Sequence, residues 1–143
     1  MSTYLIENEI KLTRQEGDNS DIIFTIPEQL SLSFADAIFQ VKDRYKRTII
    51  GKTTVDDTII ITITSVQEPI LDTDGNSVLD DQGNPTYNTI ITQTLTIPLL
   101  PNDTKTFSGS HRWELQLTDK TPGGYGVKTV AKGVLEIKPE LIA

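Results

Sequence analysis

Apolar and polar residues alternate along most of this chain with a period of two, the pattern of strands that bury one face and wet the other. The clearest run is Gly109 to Lys138. Trp113, Leu115 and Leu117 share one parity there, and Arg112, Glu114, Gln116 and Thr118 share the other. After a turn at Thr121-Pro122-Gly123-Gly124, Val127, Thr129, Ala131, Gly133, Leu135 and Ile137 are expected on the core face. Lys128, Lys132, Glu136 and Lys138 would face solvent together with Val130 and Val134. Proline presets a negative φ and glycine accepts a positive one, so the whole reads as a β-hairpin. Trp113 is expected in the core, and Gly133 marks the close approach of another backbone or side chain.

Shorter alternating runs precede it. Ile10 and Leu12 suggest a first strand, ended by Gly17-Asp18-Asn19; Ile22, Phe24 and Ile26 form a second, stopped by Pro27. Glu28 to Phe34 would admit a brief helical turn. Ala35, Ala37, Phe39 and Val41 make a third strand, and Thr48 to Lys52 a short one. Thr58 to Thr64 reads TIIITIT, with Ile59, Ile61 and Ile63 as its core face. An uncharged β-branched window of this kind invites aggregation, which suits a strand buried in mid-sheet behind Asp56 and Asp57. Its partner is Ile91 to Leu99, where Pro98 should end the strand or lie at an edge. Residues 67–90 between them read as an inserted β-excursion, in which Asp74-Gly75-Asn76 is echoed by Gln82-Gly83-Asn84. Residues 1–9 are expected to form an arm, and residues 10–140 the sandwich domain.

Composition narrows the chemistry. The 143 residues suffice for one domain with its own core. Eighteen Ile and twenty Thr agree with a β-rich fold, and the absence of Cys excludes disulfides and thiolate chemistry. The net charge of −7 argues against nucleic acid as a partner, and no apolar run is long enough for a membrane span. Charge is also segregated. From Thr53 to Asp103 there is no Lys or Arg, while Lys42, Arg44, Lys46, Arg47 and Lys52 lie together just upstream. These are either two solvated loops of opposite sign or the poles of a surface on which copies or neighbours meet.

Candidate chemistry is sparse. Asp72, Asp74, Asn76 and Asp80 stand at alternating positions as calcium ligands do, but Gly75 and Gly83 depart from the EF-hand pattern. A polar hairpin accounts for the same residues, so no metal or other cofactor is expected. His111 is the only histidine and belongs to no nucleophile motif. Nothing singles out a carboxylate pair, so no enzyme is expected. Tyr45, Tyr87 and Tyr125 fall in loops, and Tyr4, Leu5 and Ile6 in the arm could add to a neighbour's sheet edge.

The order of FADAIFQVKD, TIIITIT, a polar excursion, SHRWELQLTDK and KTVAKGVLEIKPE resembles the amino-terminal immunoglobulin-like domain of phage baseplate upper proteins and related tail and head fibre domains. The resemblance implies a non-enzymatic virion component that docks on other virion proteins and can form homo-oligomers. The partner-binding candidates are then Lys42, Arg44, Lys46, Arg47, Lys52, Tyr4, Leu5 and Ile6. A carbohydrate- or cell-surface-binding module is the alternative. The expected fold is all-β, an antiparallel immunoglobulin-like β-sandwich of about seven or eight strands with an inserted hairpin.

Overall fold

The computed structural model describes residues 3–5, 9–17, 19–33, 35–105 and 107–139. Among these residues the chain forms nine strands: β1 (Thr3–Leu5), β2 (Ile10–Gln15), β3 (Ser20–Ile26), β4 (Ala35–Lys42), β5 (Thr48–Thr53), β6 (Ile60–Pro69), β7 (Tyr87–Leu99), β8 (Gly109–Asp119) and β9 (Val127–Lys138). A single helical turn, α1 (Pro101–Thr104), follows β7. A four-stranded sheet in the order β1-β3-β7-β6 packs on a five-stranded sheet in the order β2-β9-β8-β4-β5. With β1, β3, β7 and β6 as strands A, B, E and D, and β9, β8 and β4 as G, F and C, this is the immunoglobulin arrangement. Two pairings are parallel rather than antiparallel: β1 on β3 and β2 on β9. The first segment of the chain thus contributes an edge to each sheet.

The core is the inward parity of β3, β4, β7, β8 and β9, closed around Trp113. The indole lies between Phe24 and Phe39, with ring centroids at 5.5 and 5.6 Å. Its Nε1–H donates to the Ile10 carbonyl at 3.2 Å, so a buried polar atom is satisfied by the backbone of β2. Gly133 stands beside Trp113 on β9 and beside Ile10 on β2. A Cβ at Gly133 would come within 1.8 Å of the Ile10 carbonyl oxygen. The close approach expected at this glycine is therefore made by the β2 backbone, which also receives the indole.

Two expectations are corrected by packing. The parity of β9 does not run unbroken: Leu115 pairs with Ala131 and Gln116 with Thr129, which leaves Val130 as an extra bulged residue. Val130 and Ala131 are both buried in consequence, and Val127 and Thr129 turn outward. TIIITIT is no mid-sheet strand. Ile59 and Ile61 pack on the core, but β6 is the outermost strand of its sheet, and Ile60 and Ile63 are exposed. At Pro98 the alternative of an edge position holds: β7 continues through it to Leu99. Proline is tolerated there because β6 pairs no further than Thr96, so Pro98 has a ladder neighbour only on β3. The residues from Glu28 to Ser33 form turns and a bend, not a helix.

Trp113→Ala is expected to destabilise the fold by about 3–5 kcal/mol through the cavity it leaves. Gly133→Ala should destabilise at least as clearly, because its new methyl group meets backbone and not a movable side chain. Urea unfolding of the two variants checks both; an unchanged midpoint for Gly133→Ala would show that β2 does not sit against β9 as described.

Candidate functional site

One end of the sandwich gathers three connections. The 27–34 connection joins β3 to β4 there, and β8 ends beside it because Asp119 pairs with Ala35. β6 and β7 leave the sandwich at the same end: Gln93 is opposite both Ile26 and Ile63, and beyond it the two strands pair only with each other, to Pro69 and Tyr87. From Ile63 to Pro69 this ribbon advances about 20 Å at 3.3 Å per residue. Apolar residues are exposed on both of its faces: Ile63 and Ile91 on one, Val66 and Ile90 on the other.

Gln93 fixes the base. It is 3% exposed, and its Oε1 accepts from the Leu32 amide at 2.8 Å. Its Nε2 donates to the Pro27 and Leu30 carbonyls at 3.2 and 3.3 Å, so the side chain is fully used in holding the 27–33 loop to the ribbon. The loop after β8 is joined to the same unit by the Tyr125 hydroxyl, which donates to the Ser31 carbonyl at 3.2 Å. Asp119 shapes that loop by accepting from the amides of Thr121 and Tyr125, and its carboxyl is held below the usual range chiefly by the Thr121 hydrogen bonds. Burial, reinforced by the Asp119 charge, pushes the Tyr125 hydroxyl up. An open hollow of about 380 Å³ is lined by Ser33, Ala35, Lys120, Thr121 and Pro122.

The ribbon ends in a closed ring of backbone hydrogen bonds. The Val78 amide donates to the Ile70 carbonyl (2.8 Å), Thr86 to Val78 (2.9 Å), and Ile70 to Thr86 (3.0 Å). Two seven-residue loops, 71–77 and 79–85, spring from this ring, and they are the sequence echo in three dimensions. In the first, the Asp72 carboxylate accepts from the Asp74 and Asn76 amides, each at 2.9 Å; in the second, Asp80 accepts from Gln82 and Asn84 at the same distance. Gly75 and Gly83 supply the positive φ (83° and 82°) on which each loop turns. Leu71 and Leu79 occupy equivalent positions, each 56% exposed.

The calcium candidates are thereby divided. Asp72, Asp74 and Asn76 belong to one loop and Asp80 to the other, with Asp72 and Asp80 spent on their own amides. Among the described residues no three His, Asp or Glu side chains converge as metal ligands. The basic candidates lie at the far end, because β4 carries the chain away from the 27–33 loop to a turn at 43–47, about 26 Å on at 3.3 Å per residue. That turn uses the same aspartate device as the tip. Asp43 accepts from Tyr45 and Arg47 amides and pairs with the Arg47 guanidinium at 3.0 Å, while Lys46 takes the positive φ. Arg44 and Arg47 flank the exposed Tyr45 ring at 4.9 and 5.3 Å. Lys42 stands on the outward parity of β4. Lys52 does not join them: it points inward, 8% exposed, and its Nζ meets Asp103 at 2.7 Å.

Of the arm candidates, Tyr4 and Leu5 lie in β1, which pairs with this chain's own β3 rather than a neighbour's edge; Ile6 lies outside the described residues. His111 Nε2 is 3.1 Å from the Phe107 backbone carbonyl. Tyr45 is at one end of the sandwich, whereas Tyr87 and Tyr125 are at the other, so the three tyrosines make no common platform for a sugar. Alternation puts Gln93 on the inward row with Leu95, Ile97 and Leu99, but parity alone gives a polar side chain there no role. Its position between Ile91 and Leu95, facing a loop rich in backbone groups, was the available signal.

No family model matches this chain, and no curated protein does. Among solved structures it is similar to a cysteine protease inhibitor, EhICP2, from Entamoeba histolytica, at 12% identity over 95% of this chain and 96% of that one, with a TM-score of 0.35. It is likewise similar to amebosin, at 12% identity, the same coverage and a TM-score of 0.33. Neither is a phage protein, and the virion role expected from the resemblance is corrected on that finding.

Gln93→Leu is expected to cost about 1–3 kcal/mol, since it strands the buried Leu32 amide. Faster amide exchange at Leu32 with the β8–β9 ladder unchanged would locate the loss. A second outcome follows from Asp119. A carboxyl held below its ordinary value stabilises the fold at neutral pH and loses that contribution as pH falls through the folded value. Acidification should therefore open the 119–126 loop, read as exchange at Thr121 and Tyr125, and Asp119→Asn should remove this pH dependence.

Proposed function

We propose that this chain is a non-catalytic protein-recognition module that uses the end of the sandwich carrying the ribbon. The supporting observation is the ribbon itself: apolar residues are exposed on both faces, yet the tip is held rigid by its ring of hydrogen bonds. A surface whose shape is fixed before contact loses little freedom on binding. The two loops and Gln93 supply that pre-organisation here.

The partner is a protein surface with an apolar centre rimmed by cations. From Thr53 to Asp103 the chain carries eight acids and no Lys or Arg, and the tip presents Asp74 and Asp81 beside Leu71 and Leu79. Apolar contact would supply most of the affinity, and charge would set orientation and association rate. Catalysis is no part of this reading: His111, the one histidine of the chain, lies against the Phe107 backbone carbonyl.

Photo-crosslinkers placed at Leu71 and Leu79 test the reading in the cells that make the protein, with Tyr45 as the control position at the opposite end. The expected result is one protein captured from both tip positions and not from Tyr45. Binding of that protein, once purified, should be lost when residues 70–86 are replaced by an Asn-Gly turn. Retained binding by the shortened variant, or capture from Tyr45 alone, would overturn the assignment.

A further inference from the structure

An edge strand leaves backbone donors and acceptors open to another chain, and proteins blunt such edges with shortness, bulges, charges or inward-pointing charged residues. Most edges of this molecule are blunted. β1 has three residues; β2 carries Lys11 and Arg14; β5 turns Lys52 inward and pairs with β4 through a register break between Val41 and Lys42. β6 has none of these devices along its body. It has ten residues in unbroken register, no charge from Thr58 to Gln67, and exposed Ile60, Ile63 and Val66 (51%, 43% and 58%). The ribbon portion of β7, Tyr87 to Thr92, is a second open edge, but it is shorter and meets the 27–33 loop at its base.

We infer that β6 is an interface between two copies of this chain, paired antiparallel edge to edge so that their four-stranded sheets become one. The strand is its own complement. A two-fold axis normal to the sheet keeps outer face with outer face and so matches residues of like parity. Centred on Ile63, it sets Ile60 opposite Val66 of the second copy and Thr62 opposite Thr64. These are β-branched and Thr–Thr cross-strand pairs, both favourable. No charged residue falls within the paired stretch, although acids flank it at Asp56, Asp57 and Glu68. A second copy thus matches the strand residue for residue along its uncharged stretch, and acid meets acid only at the two ends.

The offset of the ribbon makes room for this pairing. Each sandwich lies on the Ile61 side of Ile63, and beyond Ile63 there is only ribbon. In an antiparallel pair the second sandwich therefore lies beside the first ribbon, where the first sandwich is absent. The two tips, with Leu71 and Leu79, stay free, whereas Ile63 and Val66 at the base of the ribbon belong to both the pairing and the recognition surface proposed above.

Sedimentation equilibrium of the full chain and its variants tests the inference. The wild type should dimerise, and more tightly as salt rises, because screening relieves repulsion between the acidic flanks. Ile63→Lys and Ile63→Glu each put like charges opposite one another at the centre, and each alone should dimerise about tenfold more weakly or worse. Their equimolar mixture should restore the dimer, which a merely misfolded variant could not do. The chain has no cysteine, so Ile63→Cys should yield a disulfide-linked dimer on mild oxidation, and Thr92→Cys should not. A monomeric wild type at every salt concentration, a Lys/Glu mixture that stays monomeric, or crosslinking through Thr92→Cys would overturn the β6 interface. A dimer weakened by salt would also overturn it, and would point to the acidic ribbon meeting the Asp43–Arg47 turn.

Discussion

The contact on which the rest of the sandwich depends is the one between the Trp113 indole, the Ile10 carbonyl and the bare Cα of Gly133. The indole supplies the largest apolar surface in the core and also carries a donor that cannot be left unpaired. The carbonyl that satisfies it comes from β2, a strand separated from β8 by most of the sequence. Gly133 lets β2 come close enough for that bond to form. Burial of an aromatic ring, closure of a sheet edge and satisfaction of a polar atom are therefore one event, and the amino-terminal strand is fixed by the same contact that fills the middle of the core.

From this centre outward, order is maintained by different means. The strands around Trp113 are held by buried apolar side chains. The end bearing the ribbon is held by hydrogen bonds to backbone: Gln93 to the 27–33 loop, Tyr125 to Ser31, Asp72 and Asp80 to their own loops. On the proposed recognition reading this surface cannot be fixed by burying its apolar residues, because those are what it would offer. Short carboxylate-to-amide bonds hold it in shape instead. The 43–47 turn uses the same arrangement at the other end, with Lys46 in place of glycine.

Alternation was enough to read the inward faces of β3, β4, β7 and β8 from the sequence, because one face of each is buried along much of its length. It failed where that condition fails. In β9 the bulge at Val130 reverses parity, and a bulge is set by the partner strand rather than by local composition. In β6 the isoleucines suggested a strand covered on both sides, yet apolar content does not say whether a neighbour lies within the same chain. The eight-residue echo was visible as Gly-Asn pairs, but the ring joining Ile70, Val78 and Thr86 was not, since backbone bonding leaves no trace in side-chain type. The basic cluster was legible except for Lys52, whose inward direction follows from its parity with Ile50 and not from its charge.

Each loop at the ribbon's end closes on its own aspartate and glycine, and the ring beneath it is made of main chain alone. Residues at the loop crests, such as Thr73 and Gln82, can therefore be exchanged without disturbing the strands below. The ribbon separates the part of the molecule that folding constrains from a part that is free to vary, so on the proposed reading new specificities would arise at the crests while the scaffold stays as it is.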